Sequence, residues 1–431
     1  MKIIKLIFLF LAGQITFADA LWSNNAGICQ DKPAILTPEY LYEKALSNYP
    51  LVKQYGLIEQ SRDYTLSNAS KGYLPQLSFS AKATYQSEVT QIPLNMPGVT
   101  PLDKDQYQAV LELSQTIWDG GAVAAVKKAT IAATEVEKIK NETELYSLKE
   151  RVNQLYFGIL LIEGQISQLK LLMDDLGNSY SKIKAYLDNG IVLSSDLDAI
   201  RVEQLRSEQK LDELKMNLLT WRRMLYVLTS EEMVLTEPIE KPETPQIPDI
   251  NNIDRPELKL FDSQISLQTA QENTIRSLSQ PKVGFFLQGG YGNPGLNMLK
   301  NEFSPFYIGG IRLQWNIGSL YTKKNSLDEI QNRKERVNLL KESFIFNTNM
   351  ESIRKSNEID KLRKQLESDA EIIRLRGNIK RAAEAKMENG TLQVSDLIRE
   401  INAENLARQE RVIHETEYLM AIYNLKYNLN R

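Results

Sequence analysis

One histidine and one cysteine are all that 431 residues supply. Metal centres built on imidazole or thiolate need several such ligands, so that chemistry is excluded, and Cys29 has no partner for an intrachain disulfide. Imidazole acid/base catalysis has a single candidate, His414, in the charged helical stretch RVIHETEY, where it reads as a solvated helix residue. No Gly-rich phosphate loop and no GxSxG elbow occur, which leaves only carboxylate enzymology. A glycosidase would need two acids facing each other in a cleft, and nothing in the chain suggests one. No cofactor and no metal are implied. Charge of one sign is missing too: 52 basic residues against 55 acidic ones carry no electrostatic footprint for nucleic acid. After residue 20 there is no run of 18 apolar residues. Any part of the chain that enters a bilayer must do so as β-strands.

What is present begins with Lys2 and Lys5, an apolar stretch from Leu6 to Phe17, and Ala18-Asp19-Ala20. That order is the one a secretory signal uses, with cleavage expected after Ala20. Ile28 stands before Cys29 where a bacterial lipidation box wants Gly or Ala, which argues against a lipid anchor.

The remainder is an internal duplication. NYPLVKQ and YLPQLSF, around Pro50 and Pro75, face DRPELKL and SQPKVGF, around Pro256 and Pro281. TIWDGG at Trp118 corresponds to LQWNIGS at Trp315, and DNGIVLSSDL at Gly190 to ENGTLQVSDL at Gly390. Pro238, Pro242, Pro245 and Pro248 mark an extended linker between the halves. The expected organisation is a signal peptide over 1–20, a first repeat over 21–235, a linker over 236–255 and a second repeat over 256–431.

Each repeat reads helix, strand, strand, very long helix, turn, helix. Leu77, Phe79, Ala81, Ala83 and Tyr85 alternate with Ser78, Ser80, Lys82, Thr84 and Gln86, and Tyr107 to Ser114 does likewise. Val283, Phe285, Leu287 and Tyr291, then Tyr307, Ile311, Leu313 and Trp315, repeat the pattern. Such strands suit either a small soluble sheet or the wall of a membrane barrel. From Leu148 to Leu187 apolar residues alternate spacings of four and three, a coiled-coil seam that returns from Leu197 to Leu228. In the second repeat Arg376 and Lys380 stand where the seam should be apolar, which implies weaker packing or a face turned to water. A helix over 122–188 would span about 100 Å, whereas 38–72 and 194–228 would each span about 52 Å, so two short helices stacked end to end match one long one. The fold class expected is α+β: four transmembrane strands per chain plus long coiled-coil helices.

LPQLSF opening a strand, SQTIWDGG at the strand-to-helix junction and the duplicated Asn-Gly-x5-Asp-Leu turn resemble the TolC-like family of outer membrane efflux proteins, across nearly all of the chain after residue 20. The resemblance implies a homotrimer with a twelve-stranded barrel in outer-membrane lipid and a periplasmic helical barrel. It further implies a passive duct, working with a periplasmic adaptor (membrane fusion) protein and an inner-membrane transporter in tripartite efflux or type I secretion. Independently of the resemblance, four strands are too few to close a barrel, so closure needs other chains. The turn glycines Gly190 and Gly390 are C-caps, and beside them Leu193, Ser194, Ser195, Leu392, Gln393 and Ser395 occupy the exposed tip where, by resemblance, adaptor hairpins bind. Asp196 and Asp396 are helix-start acids that by resemblance line a pore constriction, with Arg399 departing from an all-acid pattern. The alternative is a periplasmic coiled-coil scaffold or adaptor without a barrel.

Overall fold

Thr37 and Pro38 open the first helix in the computed structural model, which describes residues 36–90 and 101–430; the expected signal segment and Cys29 lie outside that range. Thr37 Oγ1 accepts the Tyr40 N–H at 3.2 Å, and Pro38, with no N–H to satisfy, begins α1 (Pro38–Asn48). The single helix expected over 38–72 is interrupted at Pro50, which cannot continue the hydrogen-bond ladder, and a 3₁₀ turn over Pro50–Lys53 precedes α2 (Gln54–Ser70). The strands β1 (Gln76–Tyr85) and β2 (Asp105–Trp118) follow. Next come α3 (Ala122–Tyr146), α4 (Leu148–Asp188), α5 (Ser194–Thr229) and the short α6 (Met233–Thr236). The second repeat supplies α7 (Pro256–Leu278), β3 (Lys282–Asn293), β4 (Ser304–Gln314), α8 (Ser319–Glu388) and α9 (Val394–Leu429). Between α3 and α4, Ser147 keeps helical dihedrals but gives its N–H to Glu144 three residues back, a single tightened step.

The four strands form one antiparallel sheet in the order β1-β2-β3-β4, so the two repeats meet at β2 and β3. Register follows the alternation: Phe79 lies opposite Leu111, Leu113 opposite Leu287, and Phe285 opposite Ile311. One face is therefore apolar and bare, with Phe79 72% and Tyr307 81% exposed. The other carries Ser80, Lys82, Gln108, Glu112, Gln288 and Arg312. Two phenylalanines share this polar face, each over a glycine on the neighbouring strand. Phe306 covers Gly290, where a methyl group would collide with its ring, and Phe286 lies opposite Gly310.

The helices make a single curtain. In the upper half α3 lies between α2 and α7, and α7 rests on α8; in the lower half α4 lies between α5 and α9, and α9 rests on the rest of α8. With 70 residues, α8 is about 105 Å long and is flanked by α7 and α9 in succession, as the length argument required. The heptad positions Val152, Leu155, Ile159, Ile162, Leu169, Leu176 and Ile183 are buried, and Ile200, Leu214 and Leu225 of α5 join the same cores. An 18-residue window inside 122–188 is apolar enough to cross a membrane. Its seam is covered by α5 and α9, and coiled-coil burial accounts for that hydropathy. The Pro-rich linker is extended and docked: Tyr156 Oη donates to the Glu240 carbonyl at 2.5 Å, Ile239 is buried, and Lys241 meets Glu415 at 2.6 Å.

Two expectations for the second repeat are corrected. Lys380 does not face water. It is largely enclosed, 2.8 Å from both Asp175 of α4 and Glu404 of α9, while Arg408 Nη2 holds the other side of Glu404 at 2.6 Å. Arg376 remains half-exposed, 3.7 Å from Glu400. His414 is no solvated helix residue either, since its Nδ1 lies 2.8 Å from the buried Asp369 carboxylate of α8. In both cases the α8/α9 crossing brings together partners distant in sequence.

Candidate functional site

At the far end of the helices each repeat turns on the same backbone device. Gly190 has φ +73° and Gly390 φ +67°, a region open to glycine at no steric cost. Gly190 N–H bonds to Leu187 O at 2.9 Å and Ile191 N–H to Tyr186 O at 2.9 Å; Gly390 and Thr391 repeat both bonds on Met387 and Lys386. The Asn side chains of the Asn-Gly pair explain its duplication. Asn189 Nδ2 donates to Ala185 O at 2.7 Å and Asn389 Nδ2 to Ala385 O at 2.8 Å.

The two turns pack as one tip. Ile183, Ile200, Met387, Val394, Leu397 and Ile401 share a core against which Val192 and Leu392 rest. What the tip shows to solvent is Leu193, 71% exposed, with Ser194, Ser195, Gln393 and Ser395. Leu392 is only half-exposed, so its part in any surface is smaller than that of Leu193. Sequence reasoning passed over Ile191, which is 60% exposed beside Leu193, and Lys182, which crosses to Glu388 at 3.1 Å and links the turns. The first could have been noticed as an apolar residue within a tight turn; the second joins positions in different repeats.

The acids at the helix starts have local partners. Asp196 Oδ2 accepts the Leu193 N–H at 3.0 Å, and its carboxylate thus caps α5. Arg399 Nη1 donates to Asp396 Oδ1 at 2.9 Å, and Arg399 Nε lies 3.3 Å from Glu400. Arg399 is therefore a compensating cation for two acids on its own helix. Among the described residues no cation lies within salt-bridge distance of Asp196, whereas Asp396 has Arg399. Among the described residues no cluster of His, Cys, Asp and Glu could hold a metal ion.

At the opposite end, the Trp-Asp-Gly-Gly motif joins sheet to helices. Asp119 accepts the Gly121 N–H at 2.8 Å and the Val123 N–H at 2.6 Å, capping α3. Gly120 has φ +70°, and a methyl group there would sit 2.6 Å from Gln280 Cβ. Both constraints demand glycine.

Comparison with known proteins agrees with this geometry. Residues 41–231 match the family model described as outer membrane efflux protein. No curated protein matches the sequence. Among solved structures, the transmembrane channel CusC superposes with a TM-score of 0.71 at 14% identity, covering 92% of each chain. The outer membrane protein VceC of Vibrio cholerae gives 0.67 at 12% identity, covering 91% of this chain and 95% of that one. The outer membrane channel MtrE of Neisseria gonorrhoeae gives 0.64 at 14% identity, covering 91% and 88%. The chain has the fold of outer-membrane efflux channels, a helical barrel segment with a β domain, and its first repeat carries their sequence signature. The family is one of channels, not of enzymes.

Proposed function

We propose that the protein is the outer-membrane exit duct of a tripartite efflux or type I secretion system, a passive conduit assembled from three copies of the chain. The observation that carries this reading is a four-stranded sheet with two open edges, β1 and β4, and one bare apolar face. In lipid each unpaired backbone group costs several kcal/mol, so the edges must meet those of other chains. Three copies supply twelve strands, and three helical curtains close in the same way. The curtain's own free edges, α2 with α5 on one side and α8 on the other, expose Leu205, Met216 and Val227 on α5 and Phe346, Met350 and Ile353 on α8. A periplasmic scaffold without a barrel would leave the apolar sheet face with no solvent to suit it.

In this reading the tips carry the partner contacts. Ile191, Leu193, Ser194 and Ser195, with Gln393 and Ser395, receive the hairpins of a periplasmic adaptor protein, and an inner-membrane transporter provides the energy. Asp196 and Asp396 bring six carboxylates to the entrance in a trimer, with Arg399 offsetting those of Asp396.

Native mass measurement and planar-bilayer recording of the detergent-purified protein test the assembly and the duct. The expected result is a trimer that conducts; a monodisperse, β-structured monomer sinks it. Within that experiment Arg399→Ala raises conductance, and Asp196→Asn with Asp396→Asn lowers cation preference and block by divalent cations. If all three quantities stay unchanged, these residues are ordinary helix-end charges.

A further inference from the structure

The polar face of the sheet has a charge pattern opposite to that of the tips. Along the four strands it carries Lys82, Lys282 and Arg312, and the only carboxylate on it among the described residues is Glu112. That carboxylate is already engaged: Gln288 Nε2 donates to it at 2.8 Å and Arg312 Nη1 approaches to 3.6 Å. The Arg312 guanidinium lies over the Phe286 ring, 4.6 Å from its centre, in the space left by Gly310 opposite. Its other face is open, with the side chain half-exposed. Register sets Arg312 and Lys282 at the helix end of the sheet and Lys82 toward the loop end, so positive charge is present near both ends of this face.

We infer that the β section of the duct favours anions, and that Lys82, Lys282 and Arg312 set this preference with Glu112 opposing it. The inference rests on the trimeric duct with this face inward. Twelve strands about 4.8 Å apart and tilted by about 40° enclose a circle of roughly 12 Å backbone radius. With side chains reaching inward, the whole lumen lies within about one Debye length of the wall, roughly 10 Å at 0.1 M salt. Charges on the wall therefore act on every solute that passes. Three copies place nine cations against three carboxylates there, while the tip entrance is lined by acids. The duct thus has two sections of opposite preference in series, and anionic solutes are drawn toward the membrane end once past the tip.

Reversal potentials across planar bilayers in a gradient around 0.1 M salt test this. Glu112→Gln shifts the permeability ratio toward anions. The combined Lys82→Gln, Lys282→Gln and Arg312→Gln variant shifts it several-fold toward cations, and both shifts shrink at 1 M salt. Inositol hexakisphosphate added from the loop side reaches the barrel without crossing the tip; it blocks the wild-type current, and the triple variant needs at least tenfold more. Unchanged reversal potentials and block, with conductance intact, overturn the inference and leave the duct standing. A wild-type protein that carries no current overturns the duct instead. Calorimetry of inositol hexakisphosphate with the detergent-solubilised protein then decides the charge pattern: tenfold weaker binding by the triple variant supports it, and equal binding overturns it.

Discussion

The Lys380 ammonium of α8 lies 2.8 Å from the Asp175 carboxylate of α4, joining two helices that both pack on α9. Glu404 of α9 completes the cluster from a side chain that is almost wholly enclosed. Burial alone would push Lys380 down and Glu404 up, but hydrogen bonds to the opposite charges win, raising Lys380 and lowering Glu404.

Replacing Glu404 by Gln leaves Lys380 and Arg408 short of a counter-charge in a half-dry site and should cost up to about 3 kcal/mol. The pH dependence has a definite sign. Because the folded protein holds Glu404 below its ordinary value, the stabilisation is full above about pH 4.3 and is lost as pH falls through the folded value. Heat dissociation in detergent followed from about pH 7 down to about pH 3, across the ordinary Glu value, should fall more steeply on acidification for wild type than for the variant. Parallel curves would deny Glu404 this part.

Alternation on β1 makes a second expectation. Ala81 points with Phe79 to the apolar face and Ser80 to the polar one. Arginine at position 81 should destabilise the membrane form by about 2 to 4 kcal/mol near the bilayer midplane, while arginine at position 80 should be tolerated. The heat-modifiable fraction recovered in outer membranes measures both, and equal recovery counts against the assignment of faces.

Glycine matters differently at its positive-φ positions. At Gly190 a side chain meets nothing within 4 Å, so Gly190→Ala should cost only backbone strain, about 1 to 2 kcal/mol. At Gly120 the same φ region is joined by the close Gln280 Cβ, so Gly120→Ala should cost clearly more. Thermal dissociation of the two variants, compared side by side, reads the difference; equal losses would mean that the sheet-to-helix junction yields.

The duplication, the two-residue period of the strands, the heptads and the tip turns were all legible in the chain, because each is a local spacing. Phe79 and Ile159 declare their faces without reference to any partner. Pro50 also carried its own break, since it cannot continue a helical hydrogen-bond ladder. Other features depend on a second element. The pairing of β2 with β3 joins the repeats through residues far apart in the chain, and alternation says nothing of which strand is neighbour. Phe306 over Gly290 looks in sequence like an aromatic on the wrong face and a weak strand residue, and becomes a packed pair once the strands are in register. Lys380 reads in sequence as a polar interruption of a seam and His414 as a solvated helix residue. A buried charge is unfavourable alone and acceptable when a counter-charge faces it, and that partner is set by how α8, α9 and α4 cross. Periodicity tells each side chain whether to be covered; packing of the helices chooses what covers it.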